Sequence, residues 1–200
     1  MQLYDFPFAP NPRKLRVYLA EKGIEVPLVG VNLVQGEQRT PEFLAKSPLG
    51  ALPVLEFDDG TCLTESLAII EYFEELHPDP PMIGATPLER AQVRRLEQIA
   101  TNSVLASLGR LFHTTKAPLP GAIANPAIAD AARAALPRPL AVLNDEIGDH
   151  PFVAGTKPTI ADCTLFATFK LAEMAEVDLM PGPNLVRWYA AFSQRPSAAA

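Results

Sequence analysis

The stretch 50–72, GALPVLEFDDGTCLTESLAIIEY, constrains the fold of this chain more than any other segment. A short apolar run follows Pro53, ends at the turn sequence DDG and returns as a second run, which is the pattern of a β-hairpin. Pro53 has no N–H to donate, so it is predicted at the start of its strand. Apolar residues then recur at helical spacing, which predicts a helix capped by Thr64 or Ser66, with Glu65 near its positive end.

Composition excludes several classes of function. Apolar residues make up 48% of the 200 residues, which is ordinary for a globular protein and argues against disorder. A net charge of −6 argues against nucleic acid and anionic membrane surfaces as partners. No apolar run approaches the roughly 18 residues that cross a bilayer, and the N-terminus lacks the pattern of a signal peptide. With two cysteines and no disulfide framework, a cytoplasmic protein is predicted.

Strands and helices alternate in the first third of the predicted structure. A first strand is predicted near Leu3, a helix over about 12–22, a second strand over 26–31 and a short helix over 41–45. The hairpin and its helix follow, and the helix ends at His77.

Helices alone are predicted after the polar, proline-rich segment 77–87, which is the best domain boundary in the sequence. They cover about 88–112, 127–147, 159–172 and 185–192, and Pro137 and Pro139 must break or kink the second of them.

A second motif lies at Thr159 and Asp162, after the sequence FVAG at 152–155. These two residues stand three apart, as in a capping box, in which each side chain satisfies a free backbone amide of the other. The start of a helix is therefore predicted here.

The hairpin and this capping box together resemble the glutathione transferase family, of the bacterial theta-, zeta- or beta-like kind, over nearly the whole chain. In that family the hairpin opens with a cis-proline and ends in a Glu-Ser or Gln-Ser pair, which is the order found over 53–66. The resemblance implies an α/β N-terminal thioredoxin-like domain, predicted at 1–77, and an all-α C-terminal helical domain, predicted at 86–200. It also implies that Asp162 is buried and structural.

The resemblance implies a glutathione site on the N-terminal domain. The main chain of Leu52 would pair with the cysteinyl moiety, and Pro53 would be cis. Glu65 would meet the γ-glutamyl ammonium, while the hydroxyl and amide of Ser66 would meet its carboxylate. The alternatives are a plain N-cap for Ser66 and a surface acid for Glu65.

Gln38 stands where related classes place a residue that reaches the glycine end of glutathione. Arg39 and Lys46 are alternative contacts for that carboxylate. A solvated polar loop is an equally open interpretation of this segment.

The catalytic position departs from the family pattern. The serine of the theta- and zeta-like classes falls at Ala9, which has no donor. Asn11 is the nearest side chain with an N–H, and it is predicted to stabilise the glutathione thiolate. Tyr4 or the backbone alone are the alternatives, and capping of a helix that begins at Pro12 is a competing role for Asn11.

The predicted function is transfer of glutathione, a substrate, to a small hydrophobic electrophile by a homodimer that acts in detoxification. A glutathione-dependent isomerase and a non-catalytic binding or regulatory protein are the alternatives. No bound cofactor is implied, the scattered histidines argue against a metal site, and Cys62 and Cys163 are interpreted as core thiols. The acceptor site is predicted from four apolar residues that also suit a core: Phe8, Leu108, Leu111 and Phe112.

Overall fold

The computed structural model describes residues 1–116 and 118–200 and contains one four-stranded sheet. Its strands are β1 (Gln2–Asp5), β2 (Leu28–Gly30), β3 (Val54–Glu56) and β4 (Cys62–Thr64). Their order is β2-β1-β3-β4; β2 runs parallel to β1, whereas β3 is antiparallel to both β1 and β4. The hairpin prediction is confirmed, and the predicted second strand is shorter than expected.

The other long elements of the described residues are helices. They are α1 (Pro10–Lys22), α2 (Pro41–Leu44), α3 (Ser66–Leu76), α4 (Pro87–Gln98), α5 (Ala106–Thr115), α6 (Pro126–Ala134), α7 (Pro137–Ile147), α8 (Ile160–Ala175) and α9 (Pro183–Phe192). A π-helical segment, Ile99–Leu105, joins α4 to α5. Across residues 1–116 and 118–200, no helix has both the length and the apolar character that a bilayer requires.

The helix predicted over 127–147 is two helices. The first ends at Ala134 and the second begins at Pro137, because a proline inside a helix lacks the N–H and clashes with the preceding turn. The strong proline signal in the sequence thus marks the break, as predicted.

One hydrophobic cluster joins the two predicted domains. It contains Leu15 and Tyr18 of α1 together with Phe166 of α8. Met82 and Ile83, from the segment that sequence composition marks as a linker, are buried in the same cluster. The domain limits at 77 and 86 therefore stay a prediction, since the core is continuous across them.

Candidate functional site

Three segments that the sequence keeps apart leave the sheet at the same end. Val54, the first residue of β3, pairs with Tyr4 of β1 and with Thr64 of β4. Because both pairings are antiparallel, the chain after Tyr4, before Val54 and after Thr64 emerges on one side. Residues 5–11, 52–53 and 65–66 therefore meet there.

The Leu52–Pro53 peptide bond is cis, as predicted. Leu52 packs with Val31, Phe43 and Val54 in a small cluster on the sheet, and the side chain of Phe6 lies against it. The side chain of Leu52 is thus structural, and its main chain lies at the end of the sheet where the three segments meet.

Glu65 is the N-cap residue of α3, so the prediction of Thr64 or Ser66 at this position is wrong. Its backbone has φ 67° and ψ 112°, a conformation that costs a residue with a Cβ about 1–3 kcal/mol. This backbone makes Ser66 the first helical residue. Ser66 is buried, and within residues 1–116 and 118–200 its hydroxyl has no hydrogen-bond partner.

The start of α1 excludes the alternative role of Asn11 as a helix cap. The helix begins at Pro10 with Ala9 as its N-cap, so Asn11 is the second helical residue and not the cap. Proline suits the first helical position because its missing N–H has no helical partner there. Asn11 is exposed, and its side chain makes no hydrogen bond to any other described residue.

The backbone donors at the start of α1 are few. Pro10 and Pro12 have no N–H, while the amides of Ala9 and Arg13 donate to Phe6 and to Ala9 respectively. In the described chain this leaves the Asn11 amide as the unbonded donor of the first turn. The positive end of the α1 dipole is therefore presented through one residue.

A cavity of about 410 Å³ opens beside this helix start. Its wall combines the chain around the start of α1 with α5, α8 and the loops near 33 and 119. The residues that line it are Phe6, Phe8, Ala9, Pro10, Asn11, Leu33, Val34, Leu105, Ala106, Gly109, Phe112, His113, Pro118, Leu119, Leu171 and Met174. The cavity is largely apolar, which suits a hydrophobic ligand.

Two of the four predicted acceptor-site residues lie in this cavity and two do not. Phe8 and Phe112 line it, whereas Leu108 and Leu111 are fully buried in the core. The reason is helical phase, because residues 105, 109, 112 and 113 share the face of the helix toward the cavity. Leu111 lies on the opposite face, and Leu108 lies at the edge of the cavity-facing side, where it packs into the core.

His113 is a cavity residue that sequence reasoning missed. Asn11 and His113 supply the polar side chains of the lining. The apolar surroundings desolvate the imidazole and lower the pKa of His113 below its ordinary 6.5. In the sequence, His113 follows Gly109 by four residues and Phe112 by one. This spacing indicates a shared helix face only once the cavity-facing side of α5 is known.

Gln38 is not part of a solvated loop. It lies in a 3₁₀ turn, Glu37–Arg39, and is buried, with its Nε2 donating to the Leu33 carbonyl at 3.4 Å. Its Oε1 is buried without a partner in the described residues. Contact of this side chain with glutathione stays a prediction.

Tyr4 and Lys46, the alternatives for thiol activation and for carboxylate binding, both bind Glu56. The Tyr4 hydroxyl donates to Glu56 at 2.7 Å, and this bond raises the pKa of Tyr4. Lys46 pairs with the same carboxylate of Glu56 and lies over the Tyr4 ring. Tyr4 and Lys46 therefore form their own cluster with Glu56, and neither lines the cavity.

The cysteines do not form a reactive site. Burial raises the pKa of Cys163 well above its ordinary value, and desolvation also raises the pKa of the partly buried Cys62. Among the residues that the structure describes, no group of three metal-ligating side chains is close enough to hold an ion.

A sheet of this order, a cis-proline hairpin and an all-helical second half define a thioredoxin-like fold with a helical extension. The glutathione S-transferase N-terminal domain model matches residues 3–81, and the C-terminal domain model of the same family matches residues 126–191. Glutathione S-transferase 2 of Saccharomyces cerevisiae is 33% identical over 98% of this chain and 87% of its own length. The chain belongs to the glutathione S-transferase family.

Solved structures agree with this assignment. The crystal structure of Gtt2 from Saccharomyces cerevisiae has a TM-score of 0.91 at 34% identity, covering 100% of this chain and 99% of that one. A glutathione S-transferase domain-containing protein of Marinobacter aquaeolei gives 0.91 at 36% identity, covering 98% and 99%. Maleylacetoacetate isomerase of Pseudomonas aeruginosa is 30% identical over 94% of this chain and 88% of its own length.

Proposed function

We propose that this protein is a glutathione transferase that activates the thiol of glutathione for attack on a neutral, hydrophobic electrophile. The observation that carries the proposal is the meeting of two features at Asn11. The residue lies at the end of the sheet with the cis-proline and the start of α3, and it also lines the apolar cavity. A thiol held there would face an acceptor in the cavity.

Ser66 and the start of α3 suit the anionic γ-glutamyl end of glutathione. Helix N-termini bind carboxylates through free backbone N–H groups, and α3 has no side-chain cap to compete for them. The Ser66 hydroxyl adds a donor, and the exposed Glu65 supplies an acceptor for the ammonium group. The strained backbone of Glu65 supports a functional role for this turn.

Asn11 and His113 are proposed to act on the thiol. The Asn11 amide and side chain offer donors to a thiolate, and the dipole of α1 adds a favourable potential. His113 is kept neutral by desolvation, so it is able to accept a proton at neutral pH. The two groups supply a donor and a base where the family pattern has a serine, tyrosine or cysteine.

The cavity favours transfer to a neutral electrophile over isomerisation of an anionic diketo acid. A dicarboxylate needs cationic partners when it leaves water. No lysine or arginine lines the cavity in the described chain, and Lys116 at the end of α5 pairs with Glu176. An activated aryl halide fits this lining without an uncompensated charge.

Retention on immobilised glutathione, followed by assays with an activated aryl halide and with maleylacetoacetate, tests the proposal. Binding and aryl transfer without isomerisation are expected. Binding with isomerisation alone would favour the isomerase alternative, and binding without turnover of either compound would favour a binding protein. Failure to bind glutathione would overturn the proposal.

We further propose a cytoplasmic homodimer that acts in detoxification and uses glutathione as a substrate without a bound cofactor. Membership in the family supports this proposal. Sedimentation at several protein concentrations measures the oligomeric state, and a monomer at all of them would refute the dimer.

A further inference from the structure

One oxygen of the buried Glu97 carboxylate accepts hydrogen bonds from three side chains. Glu97 Oε1 accepts from Lys14 Nζ at 3.3 Å, from Thr101 Oγ1 at 2.6 Å and from Thr164 Oγ1 at 3.2 Å. The side chains of Lys14 and Glu97 are 2% and 1% exposed. One oxygen atom thus connects α1, the end of α4, the π-helical segment and α8.

Each donor lies one or two helical turns along the chain from a residue of the cavity wall. Lys14 follows Pro10 by four residues and Asn11 by three, so it occupies the same face of α1 about one turn further along. Thr101 precedes the cavity residue Leu105 by four residues. Thr164 precedes Leu171 by seven, which is two turns of α8. The three elements that carry these walls are therefore joined at one point.

Stability alone does not account for such a pair. Removing two charges from water is costly, and well-packed apolar side chains of similar volume hold helices together as well or better. A charged pair fixes the relative position of the helices, because its hydrogen bonds are satisfied in one arrangement only. The π-helical segment begins two residues after Glu97, and such segments are frequent at functional sites.

We propose that Lys14 and Glu97 are positioning residues, which fix the first turn of α1 against the wall of the cavity and thereby place Asn11 beside the glutathione thiol. The proposal rests on the proposed function, because it assigns the pair to activation of that thiol. Neither residue touches the ligand. They act through the position of α1.

The test replaces both charges at once with Lys14→Met and Glu97→Leu. The apolar pair removes the hydrogen bonds that fix the helices and leaves no unpaired buried charge. The pKa of bound glutathione is read from the ultraviolet absorbance of its thiolate, together with its dissociation constant, kcat and the unfolding midpoint. We expect the thiol pKa to rise by about one unit and kcat at neutral pH to fall with the thiolate fraction, by at most about tenfold. The dissociation constant of glutathione should change less than threefold, since Ser66 and Glu65 are untouched.

A matched control lies at the other end of α1. Glu21 binds Arg195 through two hydrogen bonds, of 2.6 and 2.7 Å, and this pair also joins α1 to the helical region. The double change Glu21→Leu with Arg195→Met should alter stability and leave the thiol pKa unchanged. An equal rise of the thiol pKa in the control would overturn the proposal, because any loosening of α1 would then suffice.

The outcomes separate the two proposals. A wild-type protein that binds no glutathione overturns the proposed function, and the positioning role with it. A wild-type protein with a low thiol pKa, beside a folded double variant with the same thiol pKa and kcat, overturns the positioning role alone. If the double variant does not fold, Glu97→Gln keeps the volume and one acceptor, and it must still raise the thiol pKa for the proposal to stand.

Discussion

The starts of α1 and α8 are built in opposite ways. Helix α8 begins with the predicted capping box, in which the Asp162 carboxylate accepts from the amide of Thr159 at 2.8 Å and from its hydroxyl at 2.9 Å. The same carboxylate accepts from Val153 N and from Trp188 Nε1, both at 2.9 Å. Helix α1 begins at Pro10, and its N-cap residue, Ala9, offers no side-chain cap. One helix start is closed by protein groups and the other is open to the cavity.

Position at the end of the sheet, and not a missing cap alone, distinguishes the starts of α1 and α3, since α7 and α9 also begin without a cap from their N-cap side chains. Side chains also cap α2, α4 and α6, through Thr40, Thr86 and Asn125, whereas the N-cap residue of α3, Glu65, makes no such bond. The uncapped starts of α1 and α3 are the two that meet at the end of the sheet with the cis-proline. A free helix start with its positive dipole is useful where an anionic ligand binds. We therefore expect changes at α8 to affect folding and changes at α1 and α3 to affect glutathione.

The largest effect is expected from Asp162→Ala. The change leaves the buried N–H groups of Val153, Thr159 and Trp188 without a partner, at about 1–3 kcal/mol each. The free energy of unfolding in urea should fall by about 4 kcal/mol or more.

The exposed capping box of α4 supplies the control for that experiment. Thr86→Ala removes an N-cap that water can replace, so its cost should stay near 0.5–2 kcal/mol. If Asp162→Ala lowered the free energy of unfolding no more than Thr86→Ala, the buried capping box would not be a major source of stability.

At the start of α3, Ser66→Ala should act on the ligand. A hydrogen bond to a charged group contributes roughly 1.5–3 kcal/mol, so the dissociation constant of glutathione should rise tenfold or more. Titration calorimetry measures it, and Thr61→Ala in the exposed turn of the same hairpin is the control. Because Ser66 is not the N-cap, the unfolding free energy should change little. Unchanged affinity in the folded variant would mean that Ser66 does not bind the γ-glutamyl carboxylate.

The start of α8 could be predicted from the sequence, whereas the start of α1 could not. The hairpin, the capping box and the break at Pro137 depend on residues within a few positions of one another, and local chemistry decides them. The start of α1 at Pro10 depends on which of two prolines the fold uses as the first helical residue. The sequence around Asn11 fits either choice, so the helix start predicted near Pro12 lies two residues too late.

The lining of the cavity was even harder to predict from the sequence than the start of α1. Its lining comes from α1, α5, α8 and two loops, and periodicity reveals an apolar face of α5 without stating what covers it. Leu108 and Phe112 are both apolar, yet one lies in the core and the other lines the cavity. His113 was overlooked for the same reason, since its role depends on contacts distant in the chain.

Asn11→Ala tests the open start of α1 directly. The backbone amide and the dipole remain, so the loss is one side-chain donor to the thiolate. The pKa of bound glutathione, read from thiolate absorbance, should rise by about one unit, which is about 1.4 kcal/mol. Asn102→Ala, in the exposed part of the π-helical segment, should leave it unchanged. An unshifted titration would assign activation to the backbone amide and His113.

His113 should titrate below pH 6.5 in the free protein, because burial in apolar surroundings disfavours the imidazolium. Its folded pKa is lower than its unfolded value, so its contribution to stability is present above the unfolded pKa and is lost as the pH falls through the folded one. Proton NMR of the ring, assigned with His113→Asn, measures this pKa. A value above 6.5 would mean that an acidic group outweighs the burial, and a value well above about 7 would leave too little neutral imidazole for the proposed role as a base.

The smallest effect is expected from Glu65→Gly, which separates backbone strain from charge at the start of α3. Glycine adopts positive φ readily, so the change releases the roughly 1–3 kcal/mol stored in the turn. It also adds freedom to the unfolded chain, worth about 0.4–1 kcal/mol, so the net gain in stability should be about 1 kcal/mol. Glu65→Ala keeps the strain and removes the same carboxylate. Both variants should bind glutathione more weakly to a similar extent, while only the glycine variant becomes more stable in urea. Equal stability of the two would mean that the backbone of Glu65 is not strained, and the argument from strain to function at α3 would lose its support.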